Sequence, residues 1–391
     1  MIRIRNYALI LAMAINLLTV SPAESCSTFM LSRDDCLIVG HNLDQEFYTP
    51  GMIHVNRRGE AKRSVNGSDL GLTDVRTPAL RWTAKYGSVT FSLLGRNLPD
   101  GGMNEAGLTV SEMGLGESVF PFYDSLPTML SHLWIQYQLD NYATVGEVLS
   151  HLREINIEAS STFTPPASAN YHFFVSDSTG RVAIIEFLES GAEVYVDESV
   201  PIPLLCNRTY RQELKLMDKY EGLIGWVRRQ FDSSKDLRFV KGAAALKSFN
   251  AKEDGPPVEY GFDILSQMQF ARTKQWSVIY DIRERSVYFR TNQNSKIKHF
   301  AFDRLDFSPE APAKIIEDID GQLKGDISGS FVDFNRDADK AVIDKFLRSL
   351  VRFVAKSEDA DTMDSHMIEN YNLDVRRYVE RALETTERIR Q

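Results

Sequence analysis

Cysteine is scarce in this sequence, and long apolar runs and blocks of one charge are missing from it. Three cysteines in 391 residues argue against a disulfide scaffold. Cys36 and Cys206 lie in apolar runs, so we expect both to be buried as small hydrophobic residues, and a bridge between them is possible but unsupported. No segment after residue 25 approaches the ~20 apolar residues that are needed to span a bilayer. The net charge of −9, with both signs interspersed, argues against a basic stripe for nucleic acid and a polybasic membrane anchor.

The first 25 residues have the pattern of a secretory signal. Two arginines precede an apolar stretch from Ala8 to Val20, and Ala23 and Ser25 stand three and one positions before Cys26. Small residues at these two positions are typical of a signal cleavage site. We therefore expect residues 1–25 to be removed, the protein to be exported across the inner membrane to the periplasm, and the mature chain to begin at Cys26.

A cysteine at a signal cleavage site can also be an attachment point for lipid. The charged Glu24 two positions before Cys26, with Ala23 three positions before it, departs from the usual lipoprotein pattern. An acylated Cys26 would lack a free amine, so the chain would then be a lipid-anchored or otherwise non-catalytic binding protein. This reading remains the alternative to an enzyme.

A cysteine with a free α-amine carries a nucleophile and a base in one residue. The thiol attacks a carbonyl as a thiolate, and a free cysteine with a pKa near ~8.5 is mostly protonated at neutral pH. An α-amine titrates near ~7.7–8.0 and can accept the thiol proton. Asp44 follows the first predicted hairpin, which would bring its carboxylate back beside the amine of Cys26. Taken alone, Asp44 could equally be a turn residue.

Short β-rich runs alternate with helical stretches from Cys26 to about residue 305, which predicts a layered α+β sandwich. The predicted strands are 27–31, 36–40, 88–93, 108–110, 171–175, 182–187, 192–196, 276–280, 286–290 and 299–302, and the predicted helices are 126–139, 145–152, 211–220 and 237–249. After residue 306 the composition changes, and charged amphipathic helices are predicted at 338–354 and 367–389. We expect residues 306–391 to form a helical C-terminal extension that packs on the sandwich or on a partner subunit.

Five motifs resemble those of the choloylglycine hydrolase and penicillin V acylase family, in the same order and at similar spacing. They are residues 26–29 (CSTF), 40–44 (GHNLD), 102–108 (GMNEAGL), 205–207 (LCN) and 237–239 (LRF). Residues 270–281 and 82–88 resemble its Gram-negative branch. The resemblance implies that residues 26–305 form a four-layer αββα sandwich of the N-terminal nucleophile hydrolase type. It also implies hydrolysis of linear, non-peptide amides without a metal or organic cofactor, a small-molecule acyl-amide substrate, and a homotetramer.

The resemblance also implies a role for individual residues. Cys26 matches the nucleophile, with its amine as the general base, and Asp44 matches the aspartate that binds this amine. Asn207 matches the side-chain donor to the oxyanion, and Arg238 matches the arginine near the thiol. Without the resemblance, Asn207 would be interpreted as a turn residue and Arg238 as a surface cation on a helix.

Two positions depart from the family pattern. His41 precedes the Asn-Leu-Asp motif where many Gram-positive bile salt hydrolases have an arginine, so its charge would be titratable, or it could be a packed strand-end histidine. Gly114 stands where those relatives have a second asparagine in the oxyanion hole. That donor is either replaced by a backbone N–H or missing.

The acyl group of the substrate is expected to be apolar, because the family's acids include bile acids, phenoxyacetic acid and fatty acids. Its pocket is expected to be lined by aromatic residues of the loops after the early strands, such as Phe47, Tyr48, Trp82 or Phe120, although each could belong to the core instead. The Gram-negative resemblance favours penicillin V or a long-chain N-acyl homoserine lactone over a conjugated bile salt.

Overall fold

A computed structural model of the chain describes residues 26–33, 35–65, 77–93, 95–96, 99–158, 170–220, 237–250, 253–269 and 274–357. The predicted leader, the second predicted C-terminal helix at 367–389 and the motif residues 270–273 lie outside these ranges. Twenty strands and six α-helices are found within them.

The strands are β1 (Ser27–Arg33), β2 (Cys36–Asp44), β3 (Met52–Asn56), β4 (Ala61–Arg63), β5 (Arg81–Thr83), β6 (Ser88–Ser92), β7 (Pro99–Asn104), β8 (Thr109–Gly114), β9 (Thr128–Leu130), β10 (Asn156–Glu158), β11 (Tyr171–Ser176), β12 (Val182–Leu188), β13 (Gly191–Val196), β14 (Leu204–Leu205), β15 (Lys274–Asp281), β16 (Ser286–Thr291), β17 (Lys298–Ala301), β18 (Lys314–Ile316), β19 (Gly325–Asp326) and β20 (Val332–Asp333). The helices are α1 (Trp134–Asn141), α2 (Val145–Ser150), α3 (Tyr210–Lys219), α4 (Leu237–Ser248), α5 (Pro257–Met268) and α6 (Arg336–Ser357).

Two large sheets form the centre of the fold. The seven-stranded sheet has the order β14-β1-β2-β15-β16-β17-β19, and the nine-stranded sheet has the order β13-β12-β11-β8-β7-β6-β3-β18-β20. The predicted hairpin of β1 and β2 is confirmed, with Ser27 opposite Asn42 at its open end. Because β1 lies between β2 and the two-residue strand β14, the segment that starts at Cys26 is held on both sides.

The two sheets pack face to face, and helices cover their outer faces. Phe91 of β6 contacts the rings of Tyr280 and Phe289 in the opposite sheet. Helix α5 packs on β2 and β15, while α1 packs on β7 and β8. Side chains of α6, including Ile343 and Phe346, join the apolar core that also contains Trp134 of α1. The α+β, four-layer αββα architecture expected from the sequence is therefore confirmed.

The residues after 305 are joined to both sheets by strand pairing. Strand β18 pairs with β3, and β19 pairs in parallel with β17. The predicted helix at 338–354 lies within α6, whose buried Val342 and Ile343 pack on the nine-stranded side. This part of the extension is thus built onto the sandwich of the same chain.

One predicted helix is wrong in its first half. Residues 128–130 form β9, which pairs in parallel with β10, and α1 begins only at Trp134. The backbone N–H of Leu130 donates to the carbonyl of Val65, so neighbouring segments use the groups that a helix would need. Helix α5 and strands β3 and β7 were not predicted, although Pro257 in the first turn of α5 is a typical helix start.

Cys26, Cys36 and Cys206 are all buried, and Cys36 and Cys206 are not joined by a disulfide, so the structure does not contain the possible bridge between them. None of the helices in the described ranges is both long and apolar enough to cross a membrane.

Candidate active site

Strand pairing brings Cys26 and Asn207 together. Thr28 of β1 is opposite Leu205 of β14, and continuing this antiparallel register by two residues places Cys26 opposite Asn207. Cys26 is 3% exposed. The thiol-bearing residue and the predicted oxyanion donor are therefore neighbours across one strand pair, although they lie far apart in sequence.

Arg238 links these two residues. It lies at the start of α4 and is buried. Its Nη1 donates to the carbonyl oxygen of Cys26 at 3.3 Å, and its Nη2 donates to Oδ1 of Asn207 at 3.0 Å. The planar guanidinium can serve two acceptors at once because its donors have a fixed, forked geometry. Arg238 is thus a buried cation beside Cys26 rather than a surface residue.

The amide of Asn207 has one orientation that satisfies its partners. Its Oδ1 accepts from the guanidinium of Arg238, which has donors only, and its Nδ2 donates to the carbonyl oxygen of Gly114 at 2.9 Å. This leaves the second hydrogen of Nδ2 without an acceptor among the described residues. Asn207 is only partly buried, so an electronegative atom of a bound molecule could approach that hydrogen.

Gly114, at the end of β8, contributes its carbonyl oxygen to this arrangement. Its side chain is a single hydrogen, so it supplies no side-chain donor at the position where the motif resemblance implies one. The next amide, that of Leu115, donates to the carbonyl of Asn170. A backbone N–H donor at Gly114 remains a prediction.

Asp44 is completely buried at the end of β2. The register of β1 and β2 leaves Asp44 and Cys26 at the same end of the hairpin. Burial raises the pKa of the Cys206 thiol well above its usual range, and the negative charges of Glu213 and Asp44 raise it further, whereas Arg238 lowers it. Asp44 therefore lies within electrostatic reach of the turn that carries Asn207.

His41 lies between the two sheets and is 1% exposed. Its Nδ1 is 2.8 Å from Oγ1 of Thr28, and its Nε2 is 3.3 Å from Oδ2 of Asp100 in the opposite sheet. Burial raises the pKa of Asp100, and the contact with His41 opposes this shift. Of the two interpretations left open for His41, the geometry fits the packed histidine. Its ring bridges the two sheets by contacting Thr28 on one side and Asp100 on the other. Thr28 lies two residues after Cys26.

The four aromatic residues predicted to line the acyl pocket make contacts typical of structural residues. Nε1 of Trp82 donates to Oδ2 of Asp140 at 2.8 Å, and the ring packs against Tyr137. The hydroxyl of Tyr48 donates to Asp320 at 2.7 Å. Phe47 packs against Phe346 and Phe353 of α6, and Phe120 against Phe187. Their role in substrate binding remains a prediction that these contacts do not support.

Comparison with known proteins assigns the chain to a family. The model for linear amide C–N hydrolases of the choloylglycine hydrolase family matches residues 26–317, beginning at Cys26. The chain belongs to the choloylglycine hydrolase family. As a member of this family it is a hydrolase of linear amide C–N bonds, as the sequence motifs predicted.

Individual family members are only distantly similar in sequence. A penicillin V acylase from Pectobacterium atrosepticum is 24% identical over 265 residues, which cover 59% of this chain and 70% of the relative. The structure of a penicillin V acylase from Agrobacterium tumefaciens superposes with a TM-score of 0.64 at 21% identity, over 79% of this chain and 98% of the other. A variant of a conjugated bile acid hydrolase from Clostridium perfringens gives 0.61 at 18% identity, over 77% and 98%. These two structures share the fold of this chain.

Proposed function

We propose that the chain hydrolyses the amide of an apolar acid with Cys26 as the nucleophile, after removal of residues 1–25. The observation that carries this proposal is the double contact of Arg238, which joins the backbone of Cys26 to the side chain of Asn207. A buried cation beside a cysteine favours its thiolate form. The same cation holds the amide of Asn207 so that one of its N–H groups remains available near Cys26.

In the proposed reaction, the α-amine of Cys26 takes the thiol proton, and the sulfur adds to the scissile carbonyl. Nδ2 of Asn207 and a backbone N–H at Gly114 donate to the resulting oxyanion. The protonated α-amine then gives its proton to the leaving amine as the C–N bond breaks and a thioester forms. The same amine activates a water molecule that cleaves the thioester and restores the thiol. Asp44 holds the amine by a hydrogen bond, and no metal or organic cofactor takes part.

The proposed substrates are acyl amides with a small polar amine component. Penicillin V and the conjugated bile acids are candidates because relatives in the family are named for them. A long-chain N-acyl homoserine lactone has the same combination of an apolar acyl chain and a polar amine. We rank penicillin V and the homoserine lactone above the bile salts, since the motif resemblance favours the Gram-negative branch.

Export and assembly belong to the same proposal. Removal of residues 1–25 would leave the free N-terminal amine that the reaction requires, and the mature enzyme would act in the periplasm. We also propose a homo-oligomer, with a tetramer as the expected form. Intact mass and light scattering of the protein purified from the periplasm test these two points.

The decisive experiment measures amine release by the protein that begins at Cys26. Penicillin V, glycocholate, taurocholate and a long-chain acyl homoserine lactone are offered in parallel. We expect turnover of at least one amide, its loss in Cys26→Ala, and its retention in the matched control Cys36→Ala. Activity of Cys26→Ala would overturn the mechanism. No turnover with any of the four, or an intact mass that shows a lipidated Cys26, would favour the binding protein.

A further inference from the structure

A buried histidine and glutamate lie directly behind the turn that carries Asn207. His172 of β11 and Glu186 of β12 are both fully buried. Nδ1 of His172 is 3.1 Å from Oε1 of Glu186, and Nε2 of His172 is 2.7 Å from the carbonyl oxygen of Cys206. The same Oε1 accepts the backbone N–H of Tyr210 at 2.7 Å. The pair therefore contacts the chain on both sides of Asn207.

The hydrogens of this network can be assigned from its partners. The carbonyl of Cys206 has no hydrogen, so Nε2 of His172 must be the donor in that contact. A proton must then lie between Nδ1 of His172 and Oε1 of Glu186, since two lone pairs would otherwise face each other. Whichever of these atoms holds that proton, Nε2 remains a donor to the carbonyl of Cys206.

We propose that His172 and Glu186 are positioning residues for the oxyanion donor Asn207. The carbonyl of Cys206 belongs to the peptide group that continues into Asn207, so the bond from His172 fixes the plane of that peptide. The hydrogen bond that the backbone N–H of Tyr210 donates to Glu186 fixes the first turn of α3, three residues after Asn207. The backbone of Asn207 is thus held from behind while Arg238 and Gly114 hold its amide.

This arrangement matters for catalysis because an oxyanion donor acts only at short range. Donors must lie about 2.7–3.1 Å from the developing oxyanion, and a misplacement of about 1 Å can cost ~10² in rate. Hydrogen bonds to the turn from one buried pair limit its movement without any contact between that pair and the substrate. The inference rests on the proposed role of Asn207 and adds residues that no sequence motif indicated.

The test compares two reactions of Cys26 in the protein that begins at this residue. Amide hydrolysis passes through an oxyanion, whereas alkylation by iodoacetamide displaces iodide from a saturated carbon and forms none. We expect His172→Leu to lower kcat about 10- to 100-fold, the range for a displaced donor, with KM changed less than about threefold. Alkylation of Cys26 should stay within about twofold of the unsubstituted protein. His172→Gln, which retains an N–H near the position of Nε2, should recover most of the kcat.

Glu186→Gln is the second variant, because it is nearly isosteric and its oxygen can still accept from Tyr210. The glutamine oxygen that accepts from Tyr210 carries no proton, so it cannot also donate to Nδ1 of His172. We therefore expect kcat to fall about tenfold.

An unchanged kcat in folded His172→Leu and Glu186→Gln overturns the inference while the proposed function stands. Equal losses of hydrolysis and alkylation also overturn it, since they indicate a general structural role. If the unsubstituted protein hydrolyses none of the four amides, the proposed function fails and the inference fails with it.

Discussion

Arg238 and Asn207 are joined by a hydrogen bond of 3.0 Å between Nη2 and Oδ1, and the other terminal nitrogen of the guanidinium donates to the backbone of Cys26. One side chain at the start of α4 thus holds together the residue before β1 and the turn after β14. The contact orients the amide of Asn207 and places a buried positive charge beside Cys26, the proposed nucleophile. A substitution at Arg238 should therefore affect both the donor and the thiol.

We predict that Arg238→Lys loses most of the activity. Lysine has a single ammonium group and cannot reproduce the fork that reaches both acceptors. Loss of one hydrogen bond to a charged group is worth about 1.5–3 kcal/mol, which corresponds to a fall in kcat/KM of ~10- to 100-fold. Steady-state hydrolysis measures the effect, with the exposed Lys241→Arg on the same helix as the control. A lysine variant as active as the control would show that the fork is unimportant.

Asn207→Ala should lower kcat by ~10²–10³, the usual cost of removing one oxyanion donor. KM should change little, because the contact strengthens when charge develops on the carbonyl oxygen. The measurement is a full kinetic comparison on the preferred amide. If KM rose and kcat were unchanged, Asn207 would bind the ground-state substrate instead.

Alkylation should distinguish Cys26 from the other two cysteines. Burial raises the pKa of Cys36 to about 11 and raises the pKa of Cys206 well above its usual range. At pH 8 about 0.1% of Cys36 would be thiolate, and thiolate is the reactive form. We expect mass spectrometry of the folded mature protein to find one iodoacetamide adduct per chain, with matching loss of activity. Cys26→Ala should give none, and rapid modification of Cys36 or Cys206 would contradict the prediction.

His132 should make the fold sensitive to acid. Burial lowers its pKa to about 4, from about 6.5 in the unfolded chain. As the pH falls below about 6.5, this histidine binds a proton in the unfolded state but not in the folded state. The free energy of unfolding therefore decreases until the pH approaches 4. Between pH 7 and pH 5 this one group should remove about 2 kcal/mol.

Urea unfolding at several pH values tests this assignment, with His132→Phe as the matched variant. The ring centroids of His132 and Tyr171 lie 5.4 Å apart. Phenylalanine keeps a ring at this position but cannot titrate. Its free energy of unfolding should therefore fall by about 2 kcal/mol less between pH 7 and pH 5. Parallel curves for the two proteins would assign the acid sensitivity to other groups.

Local patterns in the sequence were enough to predict the hairpin of β1 and β2 and the α+β class, because alternation and turn residues act over a few positions. The region of α1 was harder. Residues 128–130 follow an apolar helical spacing, yet β10 and the backbone of Val65 bind them as a strand. Similarly, residues 99–102 form a Pro-Asp-Gly-Gly run of a kind common in turns, and only the pairing of Gly101 with the neighbouring strands β6 and β8 makes the run part of a sheet.

The site could be proposed from family motifs but not from local physics. Arg238 and Asn207 lie 31 positions apart, and Arg238 and Cys26 lie 212 apart, so only the pairing of β1 with β14 and the docking of α4 bring them together. The aromatic residues proposed for the acyl pocket show the limit of reasoning from residue type. Trp82 has the size and polarity of a ligand-binding residue, but its indole N–H is already bonded to Asp140.

The pairing of β2 with β15 has a consequence for the order in which the protein folds. Asn42 and Ser277 are partners in this pairing although 235 positions separate them. Contacts between such distant positions form slowly, because a long loop must close before the contact is gained. The N-terminal hairpin thus becomes a central part of a sheet only when the last third of the chain pairs with it. The surroundings of Cys26 are therefore completed late in folding.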